Sequence, residues 1–271
     1  MVIACGGDGT LNEVVNGLAG SQVPLALLPA GTANVLAKEL GLPWHIEKAA
    51  ALVARSEFRR IALGLVTNQE SRANAPAADA RPAATNGSPA AGANHPRERY
   101  FLSVAGAGPD GAIVYSVRAG LKKGAGILAY WAEGMRQLAQ YDFPQFRVIA
   151  GDKTIDATLI VVGRTKNYGG PFRITTEADL YSDSFELMVC TTRSRFIYLA
   201  YLSLLCAGRL RSARHAHFLQ ANSVRCEPLD PASPARVQVD GESAGALPAE
   251  FRIVPDALTL AVPPSLIDGR R

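Results

Sequence analysis

Met1-Val2-Ile3-Ala4-Cys5-Gly6-Gly7-Asp8-Gly9-Thr10-Leu11-Asn12-Glu13 opens the chain, running a short apolar strand straight into a glycine turn and a helix start. Glycines let the backbone come close to an anion. The first N–H groups of the following helix have no partner inside it, so turn and helix together make a phosphate-binding junction. Thr10 and Glu13 have the spacing of a capping box, which predicts where that helix begins. Taken alone, Gly-Gly-Asp-Gly fits an ordinary strand-turn-helix connection equally well.

The next segments repeat the pattern. Pro24-Leu25-Ala26-Leu27-Leu28-Pro29 has the continuous apolar character of a buried parallel strand, and Ala30-Gly31-Thr32-Ala33-Asn34 turns it into a helix carrying Val35, Leu36 and Leu40. Gly41-Leu42-Pro43 ends that helix, and another is expected from Ile46 to Ala54. Alternating strand and helix in this way describes an open α/β sheet, and both glycine turns fall at strand C-terminal ends, where such sheets bind ligands.

From Phe58 onward the texture changes to short strands with turn signals, at 59–66, 99–104, 146–150, 154–162, 185–191, 223–227, 236–239 and 251–254. That spacing predicts a mostly antiparallel β region. Leu128, Trp131, Met135 and Leu138 are in helical register within an amphipathic helix expected over 120–141, and a second helix is expected over 195–207. Residues 69–97 are rich in Ala, Pro, Asn, Gly and Ser without a periodic apolar face and are expected to be a disordered surface insertion.

A chain of 271 residues with 48% hydrophobic and 19% charged residues favours two moderate cores, hence two domains. The formal charge of +4 suits anionic partners such as nucleotide phosphates or acidic membrane surfaces, and no basic block supports a nucleic-acid partner. Cys5, Cys190, Cys206 and Cys226 are far apart and form no C-x-x-C, which is expected of reduced, mostly packed thiols in a cytosolic protein. The longest apolar run, Phe196 to Ala207, is too short to span a bilayer, so membrane contact is expected to be peripheral.

Together, Gly6-Gly7-Asp8-Gly9-Thr10-Leu11-Asn12-Glu13, Pro29-Ala30-Gly31-Thr32-Ala33-Asn34 and Val239-Asp240-Gly241-Glu242 resemble the diacylglycerol kinase catalytic family, which includes bacterial lipid kinases and the sphingosine and ceramide kinases. Weaker echoes are Gly106-Ala107-Gly108-Pro109-Asp110-Gly111, 123–130 and Tyr168-Gly169-Gly170. The resemblance implies a three-layer α/β nucleotide-binding domain at 1–60, with 263–271 returning to it. A β-sandwich lipid-binding domain at 61–262 would follow, with ATP and Mg²⁺ in the cleft. It implies a lipid substrate taken from a membrane surface by a cytoplasmic protein, and it is compatible with a homodimer.

By the same resemblance, Gly6, Gly7, Asp8, Gly9, Thr10, Leu11, Asn12 and Glu13 would cradle ATP phosphates, Asp8 would help hold Mg²⁺, and Thr32 would complete the nucleotide site. Such a cradle suits phosphoryl transfer, which is mostly positioning and charge neutralisation. Thr32 also fits a plain helix N-cap. Asp240 and Glu242 are two apart on what is expected to be a departing strand, so they share a face, and the resemblance puts the proton acceptor at Glu242. Asp-Gly is equally a common hairpin turn. Asp110 would line the cleft near the lipid headgroup, its other reading being a turn residue. Asp183 with the carbonyls of Leu180 and Phe185 would hold a structural Mg²⁺, although Ser184 replaces a family glycine, and an ordinary β-turn fits the same stretch.

Competing spellings fail on context. Gly241-Glu242-Ser243-Ala244-Gly245 spells a nucleophile elbow, but a strand rather than a helix is expected to follow, and no histidine comes after Ser243. The G-x-G-x-x-G at 106–111 contains Pro109 and falls outside a βαβ unit. His215 and His217 lack a third metal ligand nearby. NAD kinases and phosphofructokinases also use Gly-Gly-Asp-Gly and are the nearest enzymatic alternative. In the family a strand, helix and strand precede that motif. The chain is therefore expected to be N-terminally truncated, to bind ATP weakly and to aggregate, or to be a lipid-binding fragment without efficient catalysis.

Overall fold

The apolar run Val2–Gly6 forms β1 and Pro24–Pro29 forms β2, paired in parallel from Val2 opposite Leu25 to Gly6 opposite Pro29. Helix α1 (Asp8–Leu18) joins them, and α2 (Val35–Glu39) and α3 (Ile46–Val53) follow β2. The computed structural model describes residues 1–68, 97–109, 141–169 and 172–264. The helix expected over 120–141, apart from Tyr141, and the insertion expected over 69–97, apart from Arg97, lie outside the described residues.

Three further strands complete this end of the molecule: β3 (Glu57–Asn68), β4 (Arg97–Phe101) and β16 (Ala249–Val262). β3 runs antiparallel to β16 along almost its whole length and carries β4 on its other edge. β16 pairs in parallel with β2 at Thr259 and Leu260, so the strand that returns to the glycine turns comes ahead of residue 263. Leu11 and Val15 of α1, Leu36 and Leu40 of α2, and Leu25, Leu63, Leu258 and Leu260 of the sheet form one core. Each such buried side chain contributes about 1.5–3 kcal/mol relative to exposure.

The described residues of the middle of the chain form β5 (Val104–Ala107), β6 (Phe146–Ala150), β7 (Lys153–Ala157), β8 (Leu159–Gly163), β9 (Asn167–Gly169), β10 (Phe172–Arg173), β11 (Phe185–Cys190), α4 (Arg195–Cys206), a 3-10 turn (Leu210–Ser212), β12 (Ala216–Ala221), β13 (Ser223–Pro228), β14 (Arg236–Val239) and β15 (Glu242–Ala246). β13, β6 and β7 extend the first sheet beyond β16, while β12, β11, β8, β5, β14 and β15 make a second, antiparallel sheet. Phe146, Val224 and Phe251 of the first sheet pack against Ile160, Leu187 and Val237 of the second, and Phe101 stacks on Phe185 at 5.6 Å between ring centroids. This is a β-sandwich, with α4 covering the outer face of the second sheet through Tyr198 and Tyr201.

Several elements differ from their sequence expectation for local reasons. The capping box does not form: α1 starts at Asp8 with Gly7 as its N-cap, which puts Thr10 inside the first turn, and Glu13 turns outward to Arg99 at 2.6 Å. The strand expected over 154–162 is two strands in different sheets. The chain changes sheet at Thr158, whose hydroxyl donates to the Thr192 carbonyl at 2.6 Å and contacts Tyr198 Oη at 2.9 Å. β12 and β15 lack the β-branched alternation that marks a strand, and tertiary pairing with β11 and β14 creates them. Of the cysteines, Cys190 and Cys226 are buried, and Cys5 and Cys206 are exposed.

Candidate active site

Because Gly6 lies opposite Pro29, the turns that follow β1 and β2 leave the sheet side by side, and the Ala30 N–H donates to the Gly6 carbonyl at 3.1 Å. The two turns meet backbone to backbone. A Cβ on Gly31 would fall 2.3 Å from Gly7 Cα, so no larger residue fits at Gly31 without parting them. Asn34, in the left-handed region at φ 45°, closes the second turn by accepting from the Gly31 N–H at 3.0 Å and donating to the Gly31 carbonyl at 2.8 Å. Asp8 Oδ1 then accepts from the Val35 N–H at 2.7 Å, which ties the first turn to the start of α2.

The other half of the site arrives from far along the chain. Asp240 and Gly241, at φ 47° and 79°, form the two-residue turn between β14 and β15, with Val239 opposite Glu242. Asp240 therefore occupies a hairpin turn rather than a shared strand with Glu242, and the turn is half-buried. Its carboxylate takes four hydrogen bonds: from Asn12 Nδ2 at 3.0 Å and the Leu102 N–H at 2.8 Å on Oδ2, and from the Ser103 and Val104 N–H groups at 2.9 and 3.0 Å on Oδ1. These three consecutive N–H groups are the reason that the strand expected over 99–104 breaks into β4 and β5. About four lone-pair sites exist on a carboxylate, so Asp240 is saturated as an acceptor.

Glu242 projects back to α1, where a Cβ on Gly9 would lie 2.9 Å from Glu242 Oε1. The glutamate carboxylate thus sits against the helix turn whose N–H groups are free of intrahelical partners. Burial holds the Asp8 carboxyl above the usual carboxylate range. The Val35 N–H opposes that shift and the negative charge of Asp240 adds to it. An acidic group whose ionised form is disfavoured in this way fits a cation that comes in with nucleotide phosphates.

The structure separates the N-terminal residues into two groups. Gly6, Gly7, Asp8, Gly9 and Thr10 surround the turn, whereas Leu11 faces the core, Asn12 donates to Asp240 and to the Tyr100 carbonyl, and Glu13 pairs with Arg99. The last three brace α1 against β4, joined by Asn16, which accepts from the Tyr100 N–H at 2.8 Å and donates to its carbonyl at 3.0 Å. Thr32 is exposed and caps nothing, since Asn34 is the N-cap of α2. Asp110 lies outside the described residues. Asn34, Asn16 and Arg99 went unassigned at the level of sequence. Only Asn34 carried a signal there, as the last residue of the second glycine segment.

The residues expected to ligate a structural Mg²⁺ do not fit one. Arg164, fully buried, donates from one terminal nitrogen to the Leu180 carbonyl at 2.6 Å and from the other to the Ser182 carbonyl at 3.2 Å. A divalent ion ligated by the Leu180 oxygen would sit about 4.5 Å from that guanidinium, where the repulsion is on the order of 7 kcal/mol at an effective dielectric constant near 20. Phe185 is buried in β11 and Asp183 is exposed. Among the described residues no three His, Cys, Asp or Glu side chains group in a way that would hold a metal ion.

A cleft of about 160 Å³ lies between α2 and the sandwich, lined by Lys38, Lys166, Arg173 and Tyr181 among others. Asn167 bridges it by donating to Glu39 Oε2 at 2.6 Å. A larger cavity of about 400 Å³, between Phe143 and the start of α4, touches neither the glycine turns nor the Asp240 hairpin.

Residues 1–66 match the family described as the diacylglycerol kinase catalytic domain, and residues 103–262 match the YegS C-terminal NAD kinase beta sandwich-like domain. The diacylglycerol kinase of Bacillus subtilis (strain 168) is 28% identical over 256 residues, covering 93% of this chain and 74% of that protein. That of Staphylococcus saprophyticus is 26% identical over 257 residues, covering 93% and 73%. The crystal structure of a diacylglycerol kinase from Bacillus anthracis str. Sterne superposes with a TM-score of 0.65 at 18% identity, covering 97% of this chain and 78% of that one, a likeness of fold.

Proposed function

The chain belongs to the diacylglycerol kinase catalytic-domain family, and from that premise we propose that it transfers the γ-phosphate of ATP to the hydroxyl of diacylglycerol or a closely related lipid. The observation that carries the reading is the approach of Glu242 to Gly9. It supports reading Glu242 as the proton acceptor, because its carboxylate lies beside a helix start of the kind that suits phosphate, although the two are far apart in sequence.

In this reading the N–H groups of the first turn of α1 and the backbone of the Gly7–Gly31 contact receive the nucleotide phosphates. Glu242 takes the proton of the lipid hydroxyl as its oxygen forms the new bond to phosphorus, and ADP leaves with the other electron pair. Asp240 is no second base, because its acceptor sites are filled. It holds the hairpin at the position from which Glu242 reaches α1. Asp8 is the side chain that would meet a Mg²⁺ carried by the nucleotide, and that ion would neutralise charge on the phosphates as they transfer. The acceptor comes from the surface of a membrane, on the side where ATP is available. No helix among the described residues is long and apolar enough to cross one.

Labelled ATP with a panel of lipid alcohols, resolved by thin-layer chromatography, tests the proposal, with NAD as a separate acceptor. Glu242→Gln is expected to lower kcat by about 10²–10⁴-fold, the usual contribution of a general base, with little change in melting temperature. Transfer to NAD alone would overturn the lipid assignment, and an unimpaired Glu242→Gln enzyme would remove Glu242 from its role.

A further inference from the structure

Arg164 at the end of β8 is fully buried, and its surroundings are those of a cation site. The segment from Asp179 to Ser184 closes on itself: the Tyr181 N–H donates to Asp179 Oδ1 at 3.0 Å, and the Ser182 N–H donates to the Asp179 carbonyl at 3.0 Å. That folding turns the Leu180 and Ser182 carbonyls onto the guanidinium. Ser184 locks the same turn through its hydroxyl, 2.8 Å from Ser182 Oγ and 3.1 Å from Gln220 Oε1. Burial lowers the guanidinium's affinity for its proton, to a pKa of about 10, while Asp183, Asp179 and Asp240 draw it back up. It remains charged at neutral pH.

Two carbonyls converge on one buried point, and the negative charges of Asp183, Asp179 and Asp240 act on it from further off, an environment of the kind that hard cations favour. Here a side chain already fills it. We infer that Arg164 is the resident cation of the 179–185 loop, standing where a divalent ion would otherwise bind, so that the order of this loop is independent of metal. The inference concerns the loop alone and does not depend on which acceptor is phosphorylated.

The test uses the full chain without nucleotide, so that metal carried by ATP plays no part. Calorimetric titration of MgCl₂ into the wild-type protein is expected to give no stoichiometric heat, and the melting temperature is expected to be the same in excess EDTA and in excess MgCl₂. Arg164→Met leaves two inward carbonyls unpaired and should lower the melting temperature by roughly 10 °C. Added Mg²⁺ or Ca²⁺ should then recover part of the loss, and Asp183→Asn in the same background should cancel the recovery. A one-to-one Mg²⁺ site in the wild-type protein that disappears in Asp183→Asn would overturn the inference. That outcome is readable even if Arg164→Met fails to fold.

Discussion

Asp240 lies close enough to Asp8 for its charge to raise the Asp8 pKa, yet the molecule treats the two side chains in different ways. Asp240 sits in a hairpin turn and receives four hydrogen bonds, three of them from consecutive backbone N–H groups. Asp8 sits at a helix start with the Val35 N–H on Oδ1, and burial outweighs that support. One carboxylate is a fixed part of the frame, fully compensated by protein donors. The other has backbone N–H support that does not outweigh its burial, so its ionised form is disfavoured. Identical side chains in neighbouring motifs thus divide into one whose acceptor sites are filled and one whose burial outweighs its donors.

Removing the frame carboxylate should have the largest effect. Asp240→Ala strands the Leu102, Ser103 and Val104 N–H groups, and at about 1–3 kcal/mol for each buried donor left unpaired the loss is on the order of 3–9 kcal/mol. Urea denaturation should read this as a drop in midpoint at constant slope. Lipid phosphorylation should fall with it, because Glu242 loses the turn that aims it. If Asp240→Ala retains full stability but loses activity, Asp240 is a chemical group and the contrast with Asp8 collapses.

Gly31→Ala comes next. Its methyl group would meet Gly7 Cα at 2.3 Å, and overpacking of this kind costs about 1–3 kcal/mol. The site on the Asp8 side should feel it most, as weaker ATP binding by calorimetry, while the Asp240 hairpin is untouched. Gly17, where an added methyl meets nothing within 4 Å, provides the control.

The smallest effect sharpens the comparison by its sign. The folded-state pKa of Asp8 lies above its unfolded value, so the folded chain binds this proton more tightly. Stability from this group is fully present below the ordinary carboxylate pKa and is lost as pH rises through the raised one. Asp8→Asn retains the acceptor oxygen for the Val35 N–H and removes the buried charge. It should raise the melting temperature slightly at neutral pH and flatten its pH dependence in the mildly acidic range, while lowering kcat. The corresponding Asp240→Asn change should instead destabilise, since an amide nitrogen would face backbone N–H donors.

Much of this was legible in the sequence where it depended on local pattern. β1, β2, α3, α4 and the glycine turns follow from apolar runs and glycine placement, while Glu242 stands out in the sequence only through the family resemblance of Val239-Asp240-Gly241-Glu242. What the sequence concealed depends on distant partners. Thr10 and Glu13 spell a capping box, but Glu13 finds Arg99 and Gly7 becomes the cap. Residues 99–104 have the composition of one strand, but the carboxylate of Asp240, far along the chain, takes their N–H groups and breaks it. Arg164 carries no local signal at all, because a single arginine in an apolar strand says nothing about which carbonyls will face it.

β16 runs through both halves of the molecule, lying along β3 while its other edge meets β13 first and β2 later. A ribosome delivers the chain from its first residue, so β1, β2 and both glycine turns are synthesised long before the strand that seals the far edge of β2. Both glycine turns are thus made well before the strand that completes their support. Until residues 257–262 emerge, Leu25 and Leu63 lack Leu258 and Leu260 as neighbours. Closing so long a loop makes this contact intrinsically slow. The proposed nucleotide site is therefore expected to mature late in folding, together with the sandwich and not ahead of it.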